Sequence, residues 1–413
     1  MIRDALLALG VLLSTASQFR AEDSPFGPGE ICLAIWILLA LAYEARRLGP
    51  PSTAALSRLL AFWLLFAFAQ SLGLLMGLAT EAFRDTRAAA HTMVAYLLMA
   101  ALSCFTVMLP DTGWRLRRVT WILIAVGAAS LAVQLANACG LVSLTSISPW
   151  EWNRFRGWSE NPNQMGLLAS VLLLLSLHLA ETADGRGARL AALVCAAPSF
   201  VAGVITKSDS FILVVLTGGP MFVALKLWTL LFKVERRLSF RAAFACVIVL
   251  AVPALLGSAA PFAPSIADQA QKFATSTMEE NDQAENRFKL WREAIDIGFD
   301  SWMMGLGPGP HLVQKQYKRP PPDKFEAHNT IFDLFTQGGW IAVLSFLGLL
   351  AMAFTAAYRA GRIALTTLVI ALFVFSNFHL IVRHPIFWFP IALCLAAGEG
   401  VVRRVNADRN WSR

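Results

Sequence analysis

Charge is scarce in this 413-residue sequence: Asp, Glu, Lys and Arg together make up 15% of it, against about 25% in an ordinary globular chain. A water-soluble fold of that length needs far more charge to cover its surface, so two or three soluble domains are excluded. Cysteines in a useful spacing are also missing. Cys32, Cys104, Cys139, Cys195, Cys246 and Cys394 each lie inside an apolar block, and none has a partner at metal-ligand spacing. They read as small buried hydrophobes rather than a disulfide framework or a thiolate metal site. Apolar side chains are abundant instead, at 57% of residues, with a mean hydropathy of +0.58. Disorder and a collagen-like repeat are excluded by the same composition.

The apolar excess is gathered into blocks about as long as the 17–25 residues needed to cross a hydrocarbon layer of roughly 30 Å. The expected fold is therefore an all-α polytopic membrane protein of about twelve transmembrane helices. Their cores read as Ala5–Phe19, Ile31–Tyr43, Leu59–Ala79, His91–Leu109, Val119–Leu141 and Met165–Ala180. They continue as Leu190–Ile205, Phe211–Phe232, Ala242–Ala260, Ile331–Ala357, Ile363–Val382 and Ile386–Val402. Residues 1–260 then carry spans one to nine, 261–330 form a large loop, and 331–413 carry spans ten to twelve and a tail. The first block is short. Asp4 at its head and the lack of a small-residue cleavage pattern favour a retained anchor over a signal peptide.

A net charge of +8 could suggest a nucleic-acid partner, but the positive residues sit in short loops between apolar blocks. Alternate loops are rich in them: Arg46, Arg47 and Arg58; Arg115, Arg117 and Arg118; Lys233, Arg236, Arg237 and Arg241; Arg403 and Arg404. The opposite short loops hold only Arg20, Arg84, Arg87, Arg154, Arg156, Lys207 and Arg383. The rule that cytoplasmic loops are the positive ones places both termini inside and the loop from Pro261 to Thr330 outside. No inner segment is long enough for a nucleotide-binding domain, so the expected chemistry lies on the outer face.

Four outer clusters carry candidate residues, and each also has a plain structural reading. Arg154 to Asn163, leading into the sixth span, is either an interfacial turn or an anion site with two guanidiniums near a helix start. Thr206 to Ser210 is a polar hairpin in which Lys207 adds a cation. Arg287-Phe288-Lys289-Leu290-Trp291 opens an amphipathic surface helix whose apolar stripe is expected at Phe288, Trp291, Ile295 and Phe299. Gly305-Leu306-Gly307-Pro308-Gly309 breaks that helix. Glu326-Ala327-His328-Asn329-Thr330 then starts the tenth span, with His328 either a cap or a catalytic base.

Taken in this order, and followed by Gly338-Gly339, these segments resemble the O-antigen ligase and O-antigen polymerase family over about Trp150 to Phe346. The resemblance implies a membrane-embedded glycosyltransferase-like fold in the bacterial inner membrane. It implies an inverting, metal-independent transfer, with no cofactor, of a glycan from undecaprenyl pyrophosphate on the periplasmic face. The acceptor would be the lipid A core or another carrier-linked glycan. By position, His328 and Arg287 take the catalytic places, and Arg154, Arg156, Lys207 and Asn163 the pyrophosphate-binding ones. One departure is clear: the hairpin reads Ser208-Asp209 where the family often has a cation after the serine.

The chemistry agrees on its own terms. A donor used outside the cytoplasm must arrive already activated, and a pyrophosphate leaving group needs its developing charge neutralised. The outer face has no Asp-x-Asp pair for a divalent metal, but is rich in Arg and Lys. An imidazole suits the removal of a hydroxyl proton near neutral pH. The rival reading is a multi-span transporter of a lipid-linked or small anionic substrate. It would place ionisable residues at mid-membrane, where this sequence offers few: Gln70, His178, Lys226, Asn377 and His379.

Overall fold

The computed structural model describes residues 2–20, 26–46, 53–82, 86–108, 112–142, 147–233, 281–313 and 326–411. The architecture is all-helical and polytopic. Eight described helices are long and apolar enough to cross a membrane. They are α2 (Pro28–Ala45), α3 (Ala54–Ala79), α4 (Thr86–Met108), α5 (Thr112–Ala138), α6 (Pro162–Thr182), α7 (Arg186–Ile205), α8 (Asp209–Lys233) and α10 (Thr330–Arg359). The surface helix α9 spans Asn281–Asp300.

Two expected spans form shorter helices: α1 runs Ile2–Leu13 and α11 runs Ile363–Ser376. The twelfth lies within α12, Pro385–Trp411. The first and eleventh blocks stop early because their ends turn into 3₁₀ segments, Ser17–Phe19 and Ile381–Arg383. The expected ninth span, Ala242–Ala260, Cys246 and residues 261–280 lie outside the described residues. The five described cysteines are free thiols.

α6 is the central helix: 72% of its span is buried, against 22% for α2 and for α8. It packs on α5, α7, α8 and α11, while α10 packs on α3, α11, α12 and α9. One end of the bundle is tied by ion pairs. Asp4, 2% exposed, binds Arg118 and accepts from Arg115 at 3.1 Å, which accounts for an acid at the head of an apolar helix. Lys226 pairs with Glu181, whose carboxylate also accepts the Ala364 N–H at 3.1 Å. Leu7, Ala8 and Val11 of α1 are buried in the core, so this helix is an integral part of the bundle.

α10 is broken. Gly338 and Gly339 leave the helical region, and Gly339 has φ +62° and ψ −159°, a conformation essentially confined to glycine. A break inside the bundle frees backbone groups that hydrocarbon cannot satisfy. The turn around Gly305 to Gly307 takes them up. Leu306 N–H donates to Thr336 O at 2.7 Å and Gly307 N–H to Gln337 O at 2.8 Å, while Trp340 N–H donates to Met303 O at 3.1 Å. Two separate glycine motifs are thus the two halves of one joint. A Cβ on Gly339 would sit 2.0 Å from Met303 O. Gly339→Ala should therefore cost at least about 3 kcal/mol from strain and overlap together, read as loss of the folded species on gel filtration and melting. A variant that melts like the wild type would show that the joint tolerates a side chain.

Candidate functional site

The end of the bundle opposite the Asp4 ion pairs carries the polar residues, and the start of α10 organises them. Asn329 is its N-cap, with a side chain accepting from Ile331 N at 3.0 Å and Phe332 N at 3.4 Å. Buried Asp333 reaches back to accept from Ala327 N at 2.6 Å and Asn329 N at 3.3 Å. These contacts satisfy N–H groups that a helix start leaves unpaired. The cap is thus Asn329, and the capping alternative for His328 is removed.

The α11–α12 connection is stitched to this start. Asn329 Nδ2 donates to Asn377 O at 3.1 Å; Thr330 Oγ1 donates to His379 O at 2.6 Å and accepts from Ile381 N at 3.0 Å. Glu326 forms an ion pair with Arg383. His328 follows Glu326 by two residues at φ +51°. Its imidazole is exposed, with no hydrogen bond to other described residues.

α9 closes the other side. Leu290 and Ala294 pack with Leu312 and Ala327, and Trp291 Nε1 donates to Ala327 O at 3.1 Å while its ring lies 5.6 Å from Phe332. The expected stripe divides: Phe288 and Phe299 are 65% and 60% exposed, while Trp291 docks with Leu290, Ala294 and Gly298. Small residues at that spacing let the helix come close: a Cβ on Gly298 would overlap the Phe335 ring at 2.1 Å. Arg287 lies one turn before Leu290 and Trp291 and acts electrostatically on His328.

Electrostatics bind these groups together. Desolvation by the surrounding protein lowers the His328 pKa from its ordinary 6.5; Glu326 opposes this, and the Arg287 and Arg383 guanidiniums add to it. His379 is pushed down to about 4, first by burial, then by His328 and, despite Glu326, by Arg383. His384 lies well below 6.5 through burial, His379, Arg383 and Arg20. His379 and His384 face each other Nε2 to Nε2 at 3.1 Å, with ring planes 25° apart. Arg383, His379 and His384 were absent from the sequence-derived site. Their one signal was the outward position of Arg383 between the last two spans.

Arg154, Asn163 and Lys207 belong to a second network. Trp150–Glu151 and Arg154–Phe155 form a two-stranded antiparallel hairpin. Arg154 donates to Thr206 O at 3.2 Å and to Asn163 Oδ1 at 3.0 Å, and Ser208 Oγ donates to the same oxygen at 3.0 Å. Asn163 is therefore a bracket; the α6 N-cap is Asn161, with Pro162 at the first position. Among the described residues the Arg156 side chain makes one long hydrogen bond, Nε to Ser148 O at 3.4 Å. Exposed Lys207, at φ +49°, edges an apolar groove of about 650 Å³ with Trp150, Phe200 and Phe211. Among the described residues no contact joins Arg154, Arg156, Asn163 or Lys207 to His328. Because Arg154 braces three segments, Arg154→Ala should destabilise the fold by about 1.5–3 kcal/mol, the range for charged hydrogen bonds. A thermal melt unchanged in Arg154→Ala would show the bracket to be dispensable.

Among the described residues, no three His, Cys, Asp or Glu side chains are placed to hold a metal ion together. Residues 191–347 match the family model described as O-antigen ligase. That match contains Lys207, Arg287 and His328, and excludes Arg154, Arg156, Asn163, His379, Arg383 and His384. No curated protein sequence matches the chain.

Proposed function

We propose, from the match of residues 191–347 to the O-antigen ligase family model, that the chain is a membrane ligase or polymerase of glycans that carries out an inverting glycosyl transfer on the outer face of a bacterial inner membrane. The donor is a glycan on undecaprenyl pyrophosphate, and the acceptor is a sugar hydroxyl of the lipid A core or of a second carrier-linked glycan. His328 takes the hydroxyl proton. The oxygen attacks the anomeric carbon opposite the pyrophosphate, and the carbon–oxygen bond to phosphate breaks, its electron pair leaving with the phosphate. Arg287 meets that developing charge, and transfer needs no metal. Arg156 and Lys207 contribute further positive charge to the lipid headgroup, beside the network that Arg154 and Asn163 brace.

The observation that supports this reading is exposed His328, free of hydrogen bonds to other described residues and near enough to Arg287, Glu326 and Arg383 for each to act on it electrostatically. The deciding experiment incubates purified protein in detergent with lipid-pyrophosphate-linked glycan and purified acceptor. Formation of the glycosidic product with release of prenyl pyrophosphate supports transfer. No product from both substrates, with donor merely bound or moved between membrane leaflets, sinks it. The proposed orientation has both termini in the cytoplasm. Reporter fusions after Arg237 and Arg362 should read cytoplasmic and fusions near Lys318 periplasmic; a cytoplasmic Lys318 would remove the outer-face site.

A further inference from the structure

A cavity of about 220 Å³ opens beside the His328 cluster, on the side away from α9, where α4 and the start of α6 meet the α11–α12 connection. Its wall is half polar, and most of its charges are already matched. Arg20 is paired with Glu30 and Arg383 with Glu326. The helix N-terminus of α6 is satisfied too: Asn161 Oδ1 takes the Gln164 N–H at 2.9 Å, and Gln164 Oε1 takes the Ser17 hydroxyl at 3.1 Å. A phosphate would find no unpaired guanidinium here.

What remains available suits a different ligand. His91 presents an imidazole, which donates at one nitrogen and accepts at the other, and the His379–His384 pair, joined Nε2 to Nε2, keeps only its two Nδ1 positions, one donor and one acceptor. The Glu160 carboxylate accepts only. Below them Val94, Leu98 and Met99 form an apolar floor. A ring bearing hydroxyls on its edge and C–H bonds on its face matches this combination of donors, acceptors and apolar surface. The cavity is also close to the proposed base. Arg383 lines it and acts electrostatically on His328, and the His379 carbonyl is bonded to Thr330, two residues after His328.

We propose that this cavity holds the sugar of the acceptor that carries the attacking hydroxyl, with His328 between it and an anionic donor headgroup on the Arg287 side. The inference rests on the transfer reading above and adds the place and chemistry of the second substrate. Two substrates with separate pockets should also show separate kinetic signatures.

The test uses purified full-length protein, prenyl-pyrophosphate-linked glycan as donor, and a delipidated glycan acceptor isolated from the same cells. His91→Ala and Glu160→Gln each remove one hydrogen-bonding group at the cavity wall. Each should raise the acceptor KM about five- to tenfold, the equivalent of one lost hydrogen bond, with kcat at saturation and the donor KM unchanged. Ala95→Phe, which fills the cavity from α4, should abolish transfer while the protein elutes as the wild type and still binds donor. A rise in donor KM in place of acceptor KM assigns the cavity to the donor and overturns the inference. So do wild-type kinetics in all three variants. Failure of the wild type to form product is a different result, which removes the transfer reading and this inference with it.

Discussion

His328→Asn is expected to lower the rate of transfer by about 10²–10⁴-fold, the usual loss when a general base is removed. The choice of asparagine matters because His328 has φ +51°. Asparagine tolerates the left-handed region well among non-glycine residues, so this variant removes the imidazole and keeps the backbone. His328→Ala adds backbone strain to the same loss and is the less clean test. The cap of α10 is untouched in both, since Asn329 and Asp333 supply it. Donor binding should survive, because the headgroup contacts lie on Arg287 and the neighbouring cations. The pH profile gives an independent check. The His328 pKa is below 6.5, and the working form is the neutral ring. Activity should therefore hold through pH 6.5 and decline only as pH falls through the lowered value. An acid limb centred above pH 6.5, or a near-wild-type rate in His328→Asn, removes His328 from the mechanism.

Arg287→Ala should lower transfer by about 10²–10³-fold, as when one group stabilising transition-state charge is lost. The effect is expected in turnover and in donor KM together, since the same guanidinium meets the pyrophosphate before and during bond breaking. Arg287→Lys should stay poor, because an ammonium cannot make the forked contact to two oxygens. α9 should remain docked in both variants. Its anchors are Leu290, Ala294 and the Trp291 hydrogen bond to Ala327 O at 3.1 Å, and none involves the Arg287 side chain. An unchanged melt would confirm that only charge was altered. Full activity in Arg287→Lys reduces the role to simple attraction, and full activity in Arg287→Ala withdraws it.

The sequence by itself determined the membrane class, the helical architecture and the order of the motifs. Those follow from composition and from apolar block length, properties a residue carries wherever it lies, since transfer into hydrocarbon is nearly additive along the chain. The start of α10 was legible for a related reason: an Asn ahead of an apolar run is local chemistry. Only the tertiary structure decided which polar groups meet. Arg154 reaches Thr206 and Asn163, leaving Arg156 and Lys207 as the less engaged cations. Thr330 meets the His379 carbonyl, which brings Arg383 and two histidines beside His328, residues that the sequence reading left out of the site. The Gly305–Gly309 turn closes the gap that Gly338 and Gly339 open in α10. Even the docked face of α9 followed its neighbours: Leu290, Trp291 and Ala294 pack inward, and at Gly298 the Phe335 ring leaves no room for a side chain. Each of these is a pairing between segments tens of residues apart, fixed by approach distance and by the need to satisfy buried hydrogen-bonding groups. Neither quantity is a property of any one residue.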